Sequence, residues 1–138
     1  MPEVKPERSG WRDLDFSEHH RKWGWDCPAV DIDFLMIEYD KAKPIALVEY
    51  KHQQAKQADP KTTSYRAIKA LANIAHIPFF GVRYSYDFKQ FTVARINYRA
   101  EQLLATRQIM SEFEYVEFLY RLRGRKVPDD IAQFIKSR

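Results

Sequence analysis

Residues 28–52 read PAVDIDFLMIEYDKAKPIALVEYKH, and this stretch decides the fold. Two runs rich in β-branched and aromatic residues, 32–39 and 45–50, predict two strands, and the polar segment 40–44 with its proline predicts the turn between them. Both runs are almost continuously apolar, which is typical of strands that are covered on both faces of a sheet. We therefore expect a hairpin in the middle of a buried sheet.

Each predicted strand of this hairpin also carries charged residues. Asp31 and Asp33 lie on the first strand, and Glu49 and Lys51 lie on the second. Because side chains alternate along a strand, each pair shares one face, and the hairpin can bring the two faces together. Buried charges are costly unless they are paired, hold a metal or serve a reaction. The pattern therefore predicts either a functional site or a structural ion pair.

An aspartate, an apolar hairpin and a Glu-x-Lys triplet together resemble the core of the PD-(D/E)xK nuclease superfamily. Asp33, Glu49 and Lys51 fill this pattern. The resemblance covers residues 28–52 and extends more loosely to about residue 96, through a helix and two further strands in the expected order. It implies a restriction-endonuclease-like or resolvase-like fold, with these three residues as the catalytic set.

The sequence departs from the superfamily pattern in the residues before the first strand. It has no Pro-Asp dipeptide, since Pro28 lies three residues before Asp31 and five before Asp33. Which aspartate is the primary metal ligand therefore stays open. The resemblance favours Asp33, because in many members of the superfamily the aspartate directly precedes the large apolar strand residues, which are residues 34–37 here.

The resemblance implies a metal-dependent nuclease that hydrolyses phosphodiester bonds, with DNA ahead of RNA as the substrate. Hard oxygen ligands select Mg²⁺ or Mn²⁺. The implied ligands are Asp33, Glu49, the backbone carbonyl of Tyr50 and, as further candidates, Asp31 and Glu18. Lys51 would orient the attacking water or offset the charge that builds on the phosphate. The alternative is an inactive relative that keeps the fold and binds nucleic acid or a protein.

Basic and polar residues near the triplet predict contacts with nucleic acid. A helix is predicted over residues 63–76, and one stripe along it, at helical spacing, consists of Arg66, Lys69 and Asn73. This stripe is either a rail for the DNA backbone or an ordinary solvated face. His52 and Gln54 follow Lys51 closely in the chain and are further candidates for contact with the substrate.

The rest of the sequence completes an α/β pattern. The predicted elements are a short helix over 14–23, two strands over 78–84 and 91–96 with a turn at 86–89, a helix over 99–110, a helix from Ser111 with Glu114 as its capping box and Gly124 near its end, and a last short helix after Pro128. The expected fold is a small mixed central sheet flanked by helices, with a helical C-terminal third. We expect one domain, with a flexible lead-in at 1–12, a catalytic core at 13–97 and a helical extension at 98–138.

Composition restricts the classes of partner and location. The 138 residues include 23 Lys and Arg against 19 Asp and Glu, and the net charge of +4 is consistent with a polyanionic partner. The one cysteine excludes an internal disulfide framework and suits the reducing cytoplasm. No apolar run approaches the roughly 20 residues that span a bilayer, so no membrane role is expected. A homodimer, or a protein that supplies specificity, would be a further partner.

Overall fold

The computed structural model describes residues 14–24, 27–56 and 59–138. The chain divides into two compact units, residues 1–31 and 32–138. The described part of the first unit holds helix α1 (Leu14–Arg21), after which the Trp23 ring meets the rings of Phe16 and His20 edge-on at centroid distances of 5.9 and 4.9 Å. The lead-in predicted at 1–12 lies outside the described residues.

The second unit is a mixed α/β fold. Its elements are β1 (Phe34–Glu38), β2 (Lys43–His52), α2 (Thr63–Ala75), β3 (Phe79–Tyr84), β4 (Gln90–Arg95), α3 (Tyr98–Leu103), β5 (Gln108–Ser111), α4 (Glu112–Leu122) and α5 (Asp129–Lys136), with a 3-10 turn at Tyr39–Lys41. Within the described residues, the five strands form one sheet in the order β1-β2-β3-β4-β5. Only β2 and β3 run parallel in it; the other neighbours are antiparallel. The predicted mixed sheet with flanking helices is confirmed.

The hairpin that the sequence predicts is formed by β1 and β2, which pair from Phe34 opposite Val48 to Glu38 opposite Lys43. β2 is an inner strand, and Val48 at its centre is buried. The prediction that both strands lie inside the sheet is wrong for β1, because it occupies an edge and Phe34 keeps 54% of its surface exposed. An apolar run alone does not distinguish the two positions.

The two faces of the sheet are covered by different helices. One face packs against α3 and α4, in a core that includes Val48, Phe80, Val93, Ala100, Tyr115 and Phe118. The other face packs against α2, in a smaller core that includes Leu47, Ala72 and Phe79, with Tyr65 and Ile68 at its border. The next strand positions on the α2 face after Leu47 and Phe79 are Glu49 and Gly81. The smaller core therefore stops where the charged end of β2 begins.

The C-terminal third differs from the predicted helix over 99–110. α3 ends at Leu103, and β5 extends the sheet by pairing Met110 with Phe91. Met110 is buried in the larger core, whereas its neighbour Ile109 is exposed, as expected for alternation at a sheet edge. Four residues are too few for a periodic signal, so the sequence pattern did not show this strand.

The predicted ends of α4 are confirmed. The hydroxyl of Ser111 accepts a hydrogen bond of 3.1 Å from the N–H of Glu114, and the Glu114 carboxylate accepts one of 2.8 Å from the N–H of Ser111. Gly124 follows the helix with a φ of +71°, the left-handed conformation that glycine adopts easily. No helix in the part of the chain that the structure describes is long and apolar enough to cross a membrane.

A buried carboxylate joins β1 to the end of α4. Glu38 is 3% exposed, and its Oε1 lies 2.6 Å from Nε of Arg125 and 3.2 Å from Nη2 of Arg123. Its Oε2 accepts a hydrogen bond of 2.9 Å from the N–H of Asp40. Burial raises the pKa of Glu38, but the N–H of Asp40 and the two guanidiniums lower it further, so the pKa lies below its ordinary value.

The lowered pKa of Glu38 gives a stability prediction. Because the pKa is lower in the folded chain than in the unfolded chain, the stabilisation is present above the ordinary value of 4.5 and is lost as the pH falls through the folded pKa. We expect Glu38→Gln to have a lower Tm than wild type at neutral pH. This difference in Tm should become smaller at acid pH. Thermal melts between neutral and acid pH measure this. A difference in Tm that does not vary with pH, or the same pH-dependent difference in the exposed control Glu101→Gln, would contradict the prediction.

Candidate active site

The structure brings the three residues of the predicted motif together at the carboxyl end of β2. Glu49 and Lys51 lie two positions apart on one face of the strand, with 3.6 Å between Oε1 of Glu49 and Nζ of Lys51. Oδ2 of Asp33 accepts a hydrogen bond of 3.1 Å from the N–H of Tyr50, the residue between them. Two carboxylates and an ammonium therefore meet at this end of the strand.

Asp33 reaches this position by a different route from the one predicted. β1 begins at Phe34, so Asp31 and Asp33 both precede the strand, and the prediction that they share one of its faces is wrong. The Asp33 carboxylate instead bonds the Tyr50 N–H, beyond the Phe34–Val48 pair that opens the β1–β2 ladder. The hydrogen bond from the Tyr50 N–H therefore holds the Asp33 side chain at the end of the β1–β2 ladder.

The other two candidate ligands, Asp31 and Glu18, belong to the compact unit of residues 1–31. Glu18 lies on α1 and is exposed, and Asp31 lies between Cys27 and β1, outside any helix or strand. Their roles as metal ligands stay predictions.

The side chain of Tyr50 points away from this cluster. Its hydroxyl shares a hydrogen bond of 2.5 Å with the hydroxyl of Tyr115 on α4, and its ring meets the ring of Phe34 edge-on at 5.0 Å. Because alternate residues of a strand face opposite sides, this anchoring directs Glu49 and Lys51 to the α2 side of the sheet. The Tyr50 ring thus fixes the orientation of the strand end, and only its backbone belongs to the site.

A cavity of about 170 Å³ opens beside Glu49 and Lys51. The space exists because small residues follow Glu49 across the sheet: Gly81 is its register partner on β3, and Ala94 is the partner of Gly81 on β4. The cavity is further lined by Tyr65, Arg83, Thr92, Ile96 and Arg107. A polar site on one strand is thereby extended into a recess that can accept a ligand.

Cations outnumber anions around this cavity. Lys51, Arg83 and Arg107 line it together with one carboxylate, that of Glu49. Nη1 of Arg83 donates to the carbonyls of Gln53 and Ala55 at 3.1 and 3.0 Å, which holds the segment after β2. Within the described part of the chain, Arg107 makes no hydrogen bond or ion pair. Its guanidinium is therefore free to bind an anionic ligand such as phosphate.

Tyr65 contributes a hydroxyl donor to the cavity wall. Its ring packs on Phe79 with 5.6 Å between centroids, and the half-buried side chain also lines the cavity. Burial, together with the negative charge of Glu49, raises the pKa of Tyr65 to about 12. The hydroxyl therefore stays protonated at neutral pH and can donate a hydrogen bond to a bound anion.

The sequence analysis did not identify three side chains of this cavity, those of Tyr65, Arg83 and Arg107. The sequence signal for each of them differs. Arg83 interrupts an otherwise apolar strand, FFGVRY, and this interruption was a signal. Tyr65 lies on the apolar stripe of α2, where it resembles a core residue. Arg107 gave no signal, because it reaches the cavity through the pairing of β5 with β4.

The residues predicted to contact nucleic acid lie in two places. Arg66 and Lys69 are exposed on α2, but the third member of their stripe, Asn73, accepts a hydrogen bond of 3.1 Å from Nδ2 of Asn97 and so has a structural role. The other two candidates follow Lys51: Nδ1 of His52 accepts a hydrogen bond of 3.1 Å from the N–H of Gln54, and the side chain of Gln54 is exposed.

The donor groups at the end of β2 suit a hard divalent ion. Among the described residues there is no group of three or more His, Cys, Asp and Glu side chains that could hold a metal. Mg²⁺, however, retains several waters and needs only one or two carboxylates, with substrate phosphate completing its ligands. Oδ1 of Asp33 has no hydrogen bond in the described residues, and Glu49 lines the cavity. These two carboxylates and the carbonyl of Tyr50 are oxygen donors, the ligand type that Mg²⁺ prefers.

The chain matches no protein-family model, no curated protein and no solved structure. Its chemistry is therefore inferred from the groups around the cavity, which are one carboxylate, an ammonium, two guanidiniums and a tyrosine hydroxyl, and from the nearby carboxylate of Asp33 on the Tyr50 N–H. Cationic and hydroxyl donors of this kind recognise phosphate, and paired carboxylates recognise Mg²⁺ or Mn²⁺.

Proposed function

We propose that this protein is a metal-dependent nuclease of the PD-(D/E)xK type that hydrolyses phosphodiester bonds of nucleic acid, with DNA ahead of RNA. The observation that carries the proposal is that Glu49 and Lys51 line a cation-rich cavity, while Asp33 is hydrogen-bonded to the N–H of Tyr50 between them. A cytoplasmic location and a nucleic-acid partner belong to the same proposal. A homodimer, or a protein that supplies specificity, would complete the substrate-binding surface.

In this proposal Asp33, Glu49 and the carbonyl of Tyr50 hold Mg²⁺ or Mn²⁺. Such an ion, when bound, polarises the phosphate and makes a bound water acidic enough to act as a nucleophile. The two carboxylates would supply its side-chain ligands, and the hydrogen bond from the Tyr50 N–H keeps Asp33 in place before the substrate arrives. Preorganisation of this kind avoids the cost of rearranging charged groups during the reaction.

Lys51 and the two arginines of the cavity act on the substrate. The ammonium of Lys51 lies beside Glu49, where it can orient the attacking water and offset the negative charge that grows on the phosphate. Arg107 and the hydroxyl of Tyr65 can bind the oxygens of the phosphate that do not leave. Arg83, which is already bonded to two carbonyls, adds positive charge and holds the segment next to the substrate.

A second candidate function is binding of nucleic acid without cleavage. The Glu49–Lys51 ion pair favours it. In that case the Glu49 carboxylate forms an ion pair with Lys51 and does not bind a metal. The two functions therefore predict different responses to divalent ions.

Thermal stability in Mn²⁺ separates these two functions. A ligand that binds only the folded chain stabilises it by about 2.7 kcal/mol at 100 times its Kd, so a metal site should raise Tm by several degrees. We expect this gain in wild type, a much smaller gain in Glu49→Gln, and a full gain in the exposed control Glu101→Gln. Equal gains in all three proteins, or no gain in wild type, would contradict the metal site.

A further inference from the structure

The turn between β3 and β4 presents two aromatic side chains to solvent. Tyr86 is 81% exposed and Phe88 is 49% exposed. The turn itself is tightly held: the hydroxyl of Ser85 donates to the Asp87 carboxylate at 2.7 Å and accepts from the N–H of Lys89 at 3.1 Å. These hydrogen bonds fix the backbone that carries the two rings. Most of the Tyr86 surface is exposed and does not pack in the core.

The backbone of Phe88 adopts a conformation that its side chain disfavours. Its φ is +60°, in the left-handed region that glycine and asparagine occupy readily and that bulky residues rarely occupy. A turn that needed only this conformation would be more stable with glycine. Strain that persists at a surface position points to a use for the side chain that causes it.

The two exposed rings continue an aromatic cluster at the carboxyl ends of the parallel strands. The rings of Tyr84 and Phe88 are stacked, with centroids 5.6 Å apart and an angle of 25° between their planes. The His52 ring meets Tyr84 and Tyr86 edge-on at 5.5 and 6.1 Å. His52, Tyr84, Tyr86 and Phe88 therefore form one connected aromatic cluster at the ends of β2 and β3.

This aromatic cluster lies at the same strand ends as the cations of the candidate active site, but on the opposite face of the sheet. His52 directly follows Lys51 on β2, and Tyr84 directly follows Arg83 on β3. A nucleic-acid strand that crosses the ends of β2 and β3 could therefore place a phosphate in the cavity on one face and neighbouring bases against the turn on the other. Bases inside a duplex are already stacked on one another, whereas unpaired bases expose faces that aromatic side chains can bind.

We infer that Tyr86 and Phe88 bind unpaired bases by stacking, so that the substrate is a single strand or the unpaired segment of a branched or frayed duplex. This inference rests on the proposed function and specifies its substrate class. Stacking is tolerant of base identity, because every base has an aromatic face. The turn should therefore select strandedness and not sequence.

The direct test is the binding of labelled oligonucleotides without divalent metal, so that no cleavage occurs. The probes are a thymidine oligomer of about 12 nucleotides, the matching uridine oligomer and a duplex of the same length. We expect wild type to bind the single strands more tightly than the duplex. Tyr86→Ala and Phe88→Ala should each weaken single-strand binding about 10-fold or more, while Tyr86→Phe and Phe88→Tyr should retain it.

Two further variants separate a role in binding from a role in folding. Phe88→Gly removes the ring and also relieves the backbone, so its Tm should exceed that of Phe88→Ala by a few degrees while its binding is equally weak. Tyr98→Ala removes a ring that is 70% exposed at the start of α3, beyond the opposite end of β4, and should bind like wild type.

The inference is overturned if wild type binds no single strand, if it prefers the duplex, or if Tyr86→Ala and Phe88→Ala bind like Tyr98→Ala. Its failure is distinct from failure of the proposed function. If single-strand binding depends on Tyr86 and Phe88 but the protein cleaves no substrate, the base-binding turn is supported and the nuclease proposal is overturned. Cleavage that is lost in variants of Glu49 and Lys51 but unchanged in Tyr86→Ala and Phe88→Ala would support the nuclease and overturn the base-binding turn.

Discussion

Lys51→Ala is expected to reduce metal-dependent cleavage about 100- to 1,000-fold while leaving nucleic-acid binding nearly unchanged. The ammonium lies 3.6 Å from Oε1 of Glu49 at the mouth of the cavity, where its charge can act on the reacting phosphate. Binding should persist because Arg83 and Arg107 still line the cavity. The selective loss of rate is the mark of a group that acts mainly in the transition state.

The measurement is the single-turnover cleavage rate at saturating protein, with the affinity determined separately in the absence of metal. Lys43→Ala is the matched control, because Lys43 is an exposed lysine at the opposite end of the same strand. Its cleavage rate should equal that of wild type. Intact cleavage by Lys51→Ala would remove this lysine from the mechanism, and an equal loss in both variants would attribute the effect to net charge.

Asn97→Ala is expected to destabilise the fold by about 3 kcal/mol or more, since it leaves several buried polar groups without partners. Asn97 is buried, and its Oδ1 accepts hydrogen bonds of 2.9 and 3.0 Å from the N–H groups of Phe79 and Ala100. Its Nδ2 donates at 3.0 Å to the carbonyl of Ile77 and at 3.1 Å to Oδ1 of Asn73. One side chain therefore joins α2, β3 and α3.

Urea unfolding measures this loss, and two variants calibrate it. Asn73→Ala removes one partner at the exposed end of the network and should cost about 1 kcal/mol. Asn97→Asp keeps the acceptor for Phe79 and Ala100 but replaces the donor to Ile77 and Asn73 with a buried carboxylate oxygen, so it should also destabilise the fold by more than Asn73→Ala. If Asn97→Ala unfolds at the same urea concentration as Asn73→Ala, the buried network does not stabilise the fold as described.

Local patterns were sufficient to predict most elements of the fold. The proline and charged residues between two apolar runs predicted the β1–β2 hairpin, and the Ser111–Glu114 pair predicted the start of α4. These features depend on backbone preferences within a few residues, which the sequence shows directly. The meeting of Asp33, Glu49 and Lys51 was predicted for a similar reason, because a hairpin brings the ends of its own strands together.

Features that depend on long-range pairing were not predicted. β1 and β2 have similar composition, but only β2 gains a second neighbour, β3, so the sequence did not show that β1 is an edge. Arg107 enters the cavity because β5 pairs with β4, and Asn97 is buried because α2, β3 and α3 meet around it. Each of these positions is set by strand order and register, which residues distant in sequence determine together.

Cleavage of a mixed panel by wild type tests the central claim most directly. The panel contains single-stranded DNA, linear duplex, a four-way junction and RNA, each with Mn²⁺ and with a chelator, beside Asp33→Asn, Glu49→Gln and Lys51→Ala. The nuclease proposal predicts metal-dependent hydrolysis of phosphodiester bonds, fastest where bases are unpaired and lost in all three variants. Absence of cleavage of every substrate, with Tm unchanged by Mn²⁺, would contradict the proposal and leave Glu49 and Lys51 as an ion pair that serves the fold.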